Sequence, residues 1–263
     1  MNRRALRAIA ALTAALVVIT AAGCAGKSAD KGAAGNNNGK ESEASGQTEG
    51  KVMTRAEFDS AKTGERVTVE TYVQAKQIWW DGAASFYTQN EEGGYFIYSM
   101  KCGEDEYERL TKGTKLKISG IKNEWAGGIQ ITEATFVTEE GSFEAIPTDV
   151  TGMNEDELAQ HMNELAEFKG MKIEPSTGKD GTERAFLYNS DGGGTDGASL
   201  YFKASKDGRI YTFTVESFLT DATSEVYNKV KKLKIGDIVD LTGFLYRNNK
   251  SCAHIIGVDN SAE

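Results

Sequence analysis

The sequence contains few of the residues that most catalytic and metal sites require. Among its 263 residues there are only three cysteines, two histidines and two prolines. It has no phosphate-binding glycine loop, no nucleophile elbow and no cysteine–histidine spacing typical of zinc. His254 lies two residues from Cys252, but no third residue is placed to orient such a pair. We therefore expect no enzymatic activity, no metal and no cofactor.

Basic residues are also scarce relative to acidic ones. The chain has 30 Lys and Arg residues against 39 Asp and Glu residues, a net charge of −9. Residues 1–23 contain three arginines and no acidic residue, so the net charge of the chain after them is −12. An acidic surface repels phosphate backbones and disfavours non-specific binding of nucleic acid. It does not exclude a local basic groove.

Long apolar runs are absent except at the N-terminus. Arg3, Arg4 and Arg7 precede an apolar stretch over 8–22, which small residues follow. A stretch of about 15 apolar residues is shorter than a membrane span and is typical of a secretion signal. Residues 1–23 are therefore predicted to be a signal peptide.

The residues after this stretch predict an anchor and a spacer. Ala21-Ala22-Gly23-Cys24 resembles the lipobox of bacterial lipoproteins, although Ala21 stands where leucine is usual. The resemblance implies that Cys24 is lipidated, with palmitate, and holds the protein on the extracytoplasmic face of the cell membrane. An ordinary cleaved signal that leaves Cys24 as a free thiol is the alternative. Residues 24–50 contain no aromatic or large aliphatic residue, so they are predicted to form a flexible tether.

Beyond the tether, one pattern occurs twice. The segment 113–120 (GTKLKISG) parallels 236–243 (GDIVDLTG), with glycines at positions one and eight and aliphatic residues at four and six. Likewise, 84–87 (ASFY) recurs as 198–201 (ASLY). Apolar residues that alternate between glycines predict half-buried strands. The chain is therefore predicted to contain two copies of one β-rich unit.

Helix signals complete the predicted order of each unit. A short helix is predicted between the third and fourth strands, at 104–110 in the first unit and 224–230 in the second. Between the units, 154–168 combines a capping Asn154 with an apolar stripe and predicts a linker helix. The predicted organisation is a signal peptide (1–23), a tether (24–50), a first domain (51–141), a linker helix (142–168) and a second domain (169–263).

Five strands with a helix between the third and fourth resemble the OB-fold, a five-stranded Greek-key barrel. The repeated glycine-bracketed strand is similar to the fourth strand of the tRNA-anticodon-binding-like OB group. The resemblance covers about 62–138 and 169–259, and implies a mainly β protein with two five-stranded barrels in tandem. The second copy departs from it in a glycine-rich insertion at 191–197 and in Pro175, which interrupts the first strand.

The resemblance also indicates a ligand face, because OB-folds bind oligonucleotides or oligosaccharides on strands two and three. Side chains alternate along a strand, so about half of the aromatic rings here belong to the core. If Phe86, Phe96 and Tyr98 point inward, an exposed stacking platform remains. The alternative is that the platform rings cover the barrel or contact the second domain. The predicted ligand-binding residues are Trp79, Trp80, Tyr87 and Tyr95, with Lys115 and Lys117 on a neighbouring strand, where they could also be a simple solvated face.

The leading functional hypothesis is a membrane-anchored, noncatalytic binding module for a protein or glycan partner. A second hypothesis is the capture of single-stranded nucleic acid, which the net charge disfavours. A third is a structural adaptor in an envelope complex, with its aromatic residues buried at an interface.

Overall fold

Two five-stranded barrels contain most of the secondary structure in the computed structural model, which describes residues 50–261. The predicted signal peptide, Cys24 and the tether up to residue 49 lie outside the described residues.

The first barrel closes in the order β1-β2-β3-β5-β4. Its strands are β1 (Arg66–Lys76), β2 (Ala83–Asn90), β3 (Gly93–Lys101), β4 (Thr114–Trp125) and β5 (Gly128–Ser142). Helix α1 (Arg55–Ser60) precedes the barrel, and α2 (Glu104–Arg109) lies between β3 and β4, where the sequence predicts it.

The second barrel follows a short connection that contains β6 (Thr148–Asp149), α3 (Glu155–Leu158) and a 3₁₀ turn (Ala159–His161). Its barrel strands are β7 (Leu165–Glu174), β11 (Leu200–Lys206), β12 (Arg209–Val215), β13 (Ile238–Asn248) and β14 (Lys250–Asn260). Between β7 and β11 are β8 (Ser176–Thr177), β9 (Glu183–Arg184) and β10 (Leu187–Tyr188), and α4 (Glu225–Val230) lies between β12 and β13.

The two barrels share one topology. In the second, β7 pairs with β13 on one side and with β11 on the other, so the order β7-β11-β12-β14-β13 closes as it does in the first barrel. The third and fifth strands are parallel in both copies, and the other barrel pairs are antiparallel. Both units are OB-folds. The predicted fold class, two tandem OB barrels each with a short helix, is confirmed.

The repeated glycines have two different structural roles. Gly113 and Gly236 have φ of +87° and +96°, the left-handed region that favours glycine, at the turn before the fourth strand. Gly120 and Gly243 instead lie where the fourth strand approaches the fifth. A Cβ at Gly120 would lie 2.7 Å from the Thr132 carbonyl oxygen. The pairing register shifts at this point in both copies.

Helix α1 closes one end of the first barrel. Phe58 of this helix is buried and contacts Tyr95 edge to face, with ring centroids 5.0 Å apart. The buried Lys122 ammonium donates to the carbonyl oxygens of Phe58, Asp59 and Ala61, at 2.8–3.0 Å, and so caps the C-terminal end of the helix. Desolvation by burial lowers the pKa of Lys122.

The linker helix is shorter than the sequence predicts. Asn154 caps α3 through the amides of Asp156 and Glu157, as expected, but the α-helix ends at Leu158. Leu165 and Phe168, which the predicted apolar stripe includes, lie in strand β7 instead. Their spacing of three residues is a helix signal, which pairing with β13 overrides; in the strand, Leu165 faces the contact between the barrels and Phe168 faces the core of the second barrel. No helix among residues 50–261 has both the length and the apolar character needed to cross a membrane.

The barrels pack against each other through an aromatic interface. The Tyr87 ring of β2 stacks on the Phe244 ring of β13, with centroids 4.4 Å apart and an interplanar angle of 10°. The Phe96 ring of β3 contacts the Tyr246 ring of β13, with centroids 5.6 Å apart. The Leu165 amide also donates to Gln89 Oε1 at 2.8 Å, across the same junction. The second barrel thus covers the outer face of strands two and three in the first barrel around Tyr87 and Phe96.

Candidate ligand-binding groove

The two tyrosines that the sequence predicts as a stacking platform are both buried. Tyr87 is 0% exposed and lies in the interface between the barrels. Tyr95 is 1% exposed and points into the first barrel, against Phe58. Tyr98, by contrast, points outward and is 51% exposed. The prediction that Tyr87 and Tyr95 are exposed is wrong for two reasons: barrel packing covers Tyr87, and the inward and outward residues of β3 are shifted by one from those expected.

The two predicted tryptophans lie in the loop between β1 and β2. Trp79 is half-buried, and its indole Nε1 donates to the Cys102 carbonyl oxygen at 2.9 Å. Trp80 is 69% exposed. Of the four predicted aromatic ligand residues, Trp80 alone therefore presents most of its surface to solvent.

The two predicted lysines lie on β4, away from the aromatic interface. Lys115 Nζ pairs with Glu70 at 2.9 Å and with Glu139 at 3.0 Å, and these hydrogen bonds raise its pKa. Lys117 is half-buried and lies opposite Glu70 and Val137 on the neighbouring strands. The structure does not bring the predicted lysines and aromatic residues together in one site.

The corresponding face of the second barrel is open. A groove of about 630 Å³ lies over the outer side of β11 and β12, the second and third strands of that barrel, and extends to the ends of β13 and β14. We call it the groove. Its lining includes Asn154, Glu155, Tyr201, Arg209, Ile210, Thr212, Thr214, Tyr246, Lys250, Ser251, Cys252 and His254.

Three partly exposed aromatic side chains of different strands line the groove, in addition to the buried Tyr211 of β12. Tyr201 belongs to β11, Tyr246 to β13 and His254 to β14, and all three are partly exposed. The His254 ring stacks on Tyr246, with centroids 4.5 Å apart and an interplanar angle of 27°. Burial raises the pKa of both tyrosines, so their hydroxyl groups stay protonated at neutral pH.

The groove also carries positive charge. Arg209 and Lys250 line it, and Lys203 lies outside the lining on β11, between Thr212 of β12 and Glu174 of β7. None of these three exposed cations forms an ion pair with another described residue. Glu155 Oε1 accepts from the Ser251 amide at 2.9 Å and from the Ser251 hydroxyl at 2.8 Å, and Arg247 Nη2, 3.9 Å away, offsets the charge of this carboxylate. The groove is therefore locally cationic, although residues 142–263 contain 13 basic and 20 acidic side chains.

Two further titratable groups at the groove are uncharged at neutral pH. Desolvation raises the pKa of Cys252 to about 12, so the thiol is a poor nucleophile. Desolvation lowers the pKa of His254 to about 4. Among residues 50–261, the His254 side chain forms one hydrogen bond, and it is with the first barrel: Tyr87 Oη lies 2.9 Å from His254 Nδ1. Neither side chain has the partners that nucleophilic catalysis requires.

A larger cavity, of about 830 Å³, lies on the first barrel between β3, α2 and β5. Tyr98, Phe136 and Glu106 line it, together with the buried Cys102. Cys102 and Cys252 are both free thiols. Among the described residues, no group of three or more His, Cys, Asp or Glu side chains is placed to hold a metal ion.

The groove residues were missed at the sequence level, although the repeat contained a signal for them. The parallel between 84–87 and 198–201 places Tyr201 in the position of Tyr87. Both residues point outward from the second strand of their barrel, but Tyr87 is covered and Tyr201 is not. Applying the ligand-face argument to both copies would have included Tyr201.

No protein-family model matches the chain, and no curated protein matches it. Several solved structures resemble it weakly. A murine DNA-binding protein bound to double-stranded DNA has 11% identity and a TM-score of 0.36, over 74% of this chain and 97% of that one. The Ifi202 HINa domain in complex with double-stranded DNA has 12% identity and a TM-score of 0.35, over 75% and 100%.

A Replication Protein A heterotrimer bound to single-stranded DNA has 12% identity and a TM-score of 0.30, over 72% of this chain and 46% of that one. At these identities and TM-scores, the likenesses assign no function to the groove.

Proposed function

We propose that this protein is a noncatalytic binding protein whose second OB barrel takes a single-stranded nucleic acid in the groove. The observation that carries the proposal is the combination of partly exposed rings with cations that have no ion-pair partner. Tyr201 and Tyr246 offer aromatic surface to bases, and Arg209 and Lys250 offer charge to phosphates. Stacking of a base on an aromatic side chain contributes about 1–3 kcal/mol.

The cations favour an anionic chain over the protein or glycan partner that the sequence suggests first. A neutral glycan would use the rings but would leave Lys203, Arg209 and Lys250 without partners. The acidic remainder of the surface opposes non-specific binding, so contact with phosphates would be confined to the groove. Three phosphate contacts to a single strand correspond to a slope of about −2 for log affinity against log salt concentration.

The test is the binding of labelled oligo(dT) to the full chain, measured by fluorescence anisotropy at several salt concentrations. We expect the double variant Arg209→Glu/Lys250→Glu to bind about 10- to 100-fold more weakly, because charge-assisted hydrogen bonds are lost. The matched control is Lys62→Glu/Arg66→Glu, which makes the same charge change at two exposed positions of the first barrel and should bind like the unmodified chain.

Two results would contradict the proposal. One is the absence of salt-dependent oligo(dT) binding. The other is equal weakening by both double variants, which would indicate a general charge effect rather than a site. If oligosaccharides bind in the groove and oligo(dT) does not, glycan binding replaces nucleic-acid binding as the proposed function.

We further propose that the protein is a bacterial lipoprotein attached to the extracytoplasmic face of the membrane through Cys24, with barrels of the tRNA-anticodon-binding-like kind. The support is the basic start, the apolar stretch over 8–22 and the Gly23-Cys24 pair. In bacteria grown with labelled palmitate, the chain should carry the label and sediment with membranes. Cys24→Ser should abolish the label, and Cys252→Ser should retain it. A labelled Cys24→Ser variant would refute the anchor.

A further inference from the structure

One contact joins the first barrel to the floor of the groove in the second. Tyr87 Oη and His254 Nδ1 are 2.9 Å apart, and the two rings meet edge to face with centroids 6.1 Å apart. Tyr87 is 0% exposed and is fixed in place by its stacking on Phe244. The Tyr87 hydroxyl group has no second hydrogen-bond partner among the described residues.

This isolation of the Tyr87 hydroxyl group determines the direction of the bond. If His254 Nδ1 carried the proton and donated, the buried Tyr87 O–H would have no acceptor, which costs about 1–3 kcal/mol. If Tyr87 donates to an unprotonated Nδ1, both groups are satisfied. Burial raises the pKa of Tyr87 well above its usual value, so the hydroxyl proton is retained. The neutral His254 therefore carries its proton on Nε2.

His254 Nε2 is the ring nitrogen that the contact with Tyr87 leaves available. It makes no hydrogen bond with any described residue. The polar side-chain atoms that are buried without a partner are Thr71 Oγ1, Tyr95 Oη and Ser176 Oγ, and His254 Nε2 is not one of them. Nε2 therefore keeps some surface accessible to solvent, and His254 is one of the residues that line the groove.

We propose that Tyr87 is a positioning residue that holds His254 as the Nε2–H tautomer, so that the groove presents one neutral hydrogen-bond donor beside the Tyr246 ring. The first barrel thereby sets the chemistry that the second barrel recognises. Beside Tyr246, the groove therefore favours a ligand atom that accepts a hydrogen bond, such as a carbonyl oxygen of a pyrimidine base, over a ligand atom that donates one. This consequence for the ligand rests on the proposed function, whereas the tautomer itself does not.

The chain offers a closely matched control. Tyr87→Phe removes the hydroxyl group that contacts His254 and keeps the ring that stacks on Phe244. Tyr95→Phe removes a hydroxyl group that is buried without a partner, from an equally buried ring. A general effect of deleting a buried hydroxyl group should appear in both variants, and a positioning effect should appear in Tyr87→Phe alone.

The primary measurement is the ¹⁵N NMR spectrum of the histidine imidazoles in the full chain near pH 7, with His254 assigned by a His161→Gln variant. We expect the unmodified chain to show protonated Nε2 and bare, hydrogen-bonded Nδ1 at His254. In Tyr87→Phe the ratio of Nε2–H to Nδ1–H forms should fall by about 3- to 10-fold, and in Tyr95→Phe it should stay unchanged. A proton on Nδ1 in the unmodified chain, or an unchanged ratio in Tyr87→Phe, would overturn the proposal.

A second measurement uses oligo(dT) as the probe. Its addition should shift the His254 Nε2 resonance, and Tyr87→Phe should weaken its binding by about 3- to 10-fold while Tyr95→Phe does not. If oligo(dT) fails to bind the unmodified chain, the proposed function fails, and the tautomer measurement still decides the role of Tyr87. If oligo(dT) binds without affecting His254, the role of the donor in recognition is refuted.

Discussion

Phe244→Ala is expected to lower the free energy of unfolding by about 3–5 kcal/mol, the usual cost of removing a buried phenylalanine ring. Phe244 is 1% exposed and stacks on Tyr87 of the other barrel. The variant therefore leaves a cavity in the interface between the barrels, and the Tyr87 ring loses the ring on which it stacks. Urea denaturation followed by tyrosine and tryptophan fluorescence measures the change.

Phe218→Ala is the matched control for this prediction. It removes the same ring from a side chain that is 57% exposed, so the free energy of unfolding should change by about 0.5 kcal/mol or less. We also expect Phe244→Ala to broaden the unfolding transition, because the barrels then unfold less cooperatively. Equal stability of the two variants would show that the aromatic interface contributes little to holding the barrels together.

Gly243→Ala is expected to destabilise the second barrel by about 3 kcal/mol. A Cβ at this position would lie 2.4 Å from the His254 carbonyl oxygen, and the obstructing atom is backbone that cannot rotate away. The fourth and fifth strands would have to separate where their pairing register shifts. Thermal unfolding monitored by circular dichroism gives the effect on stability.

Two further glycines test the reason for that effect. Gly120→Ala places a Cβ 2.7 Å from the Thr132 carbonyl oxygen in the first barrel and should cost a similar amount. At Gly103, the N-cap of α2, the nearest atom would be the flexible Glu106 carboxylate, 3.5 Å away, so Gly103→Ala should cost about 1 kcal/mol or less, as alanine at an N-cap does. A Gly243→Ala variant as stable as Gly103→Ala would show that the strands have more room than the backbone positions indicate.

The fold could be predicted from the sequence because its main signals are local and occur twice. The segments 113–120 and 236–243 bracket alternating apolar residues with glycine, and each pattern lies in the fourth strand of a closed barrel. The two short helices also lie where capping and charge indicate them. The predicted linker helix was wrong beyond Leu158, because pairing with the distant strand β13 overrides the local helical spacing of the apolar residues.

The candidate site was harder to predict because it depends on contacts between distant parts of the chain. Alternation correctly indicated that Phe86 and Tyr87 face opposite ways, but not that Phe244 covers Tyr87. On β3 the alternation was assigned with an error of one residue. Tyr95 was therefore predicted to point outward and Tyr98 inward, the reverse of what the structure shows. Whether a ring on an OB face meets a ligand or a neighbouring barrel is decided by how the barrels pack, and no local pattern in the sequence records that.

The covered face of the first barrel has a consequence for stoichiometry. Duplication of an OB unit suggests two equivalent receptors per chain, but Tyr87 and Phe96 dock one copy onto the other. If the groove is the binding site proposed above, the two copies have unequal roles: the first barrel supports the second, and each chain binds one ligand over β11 and β12 rather than two.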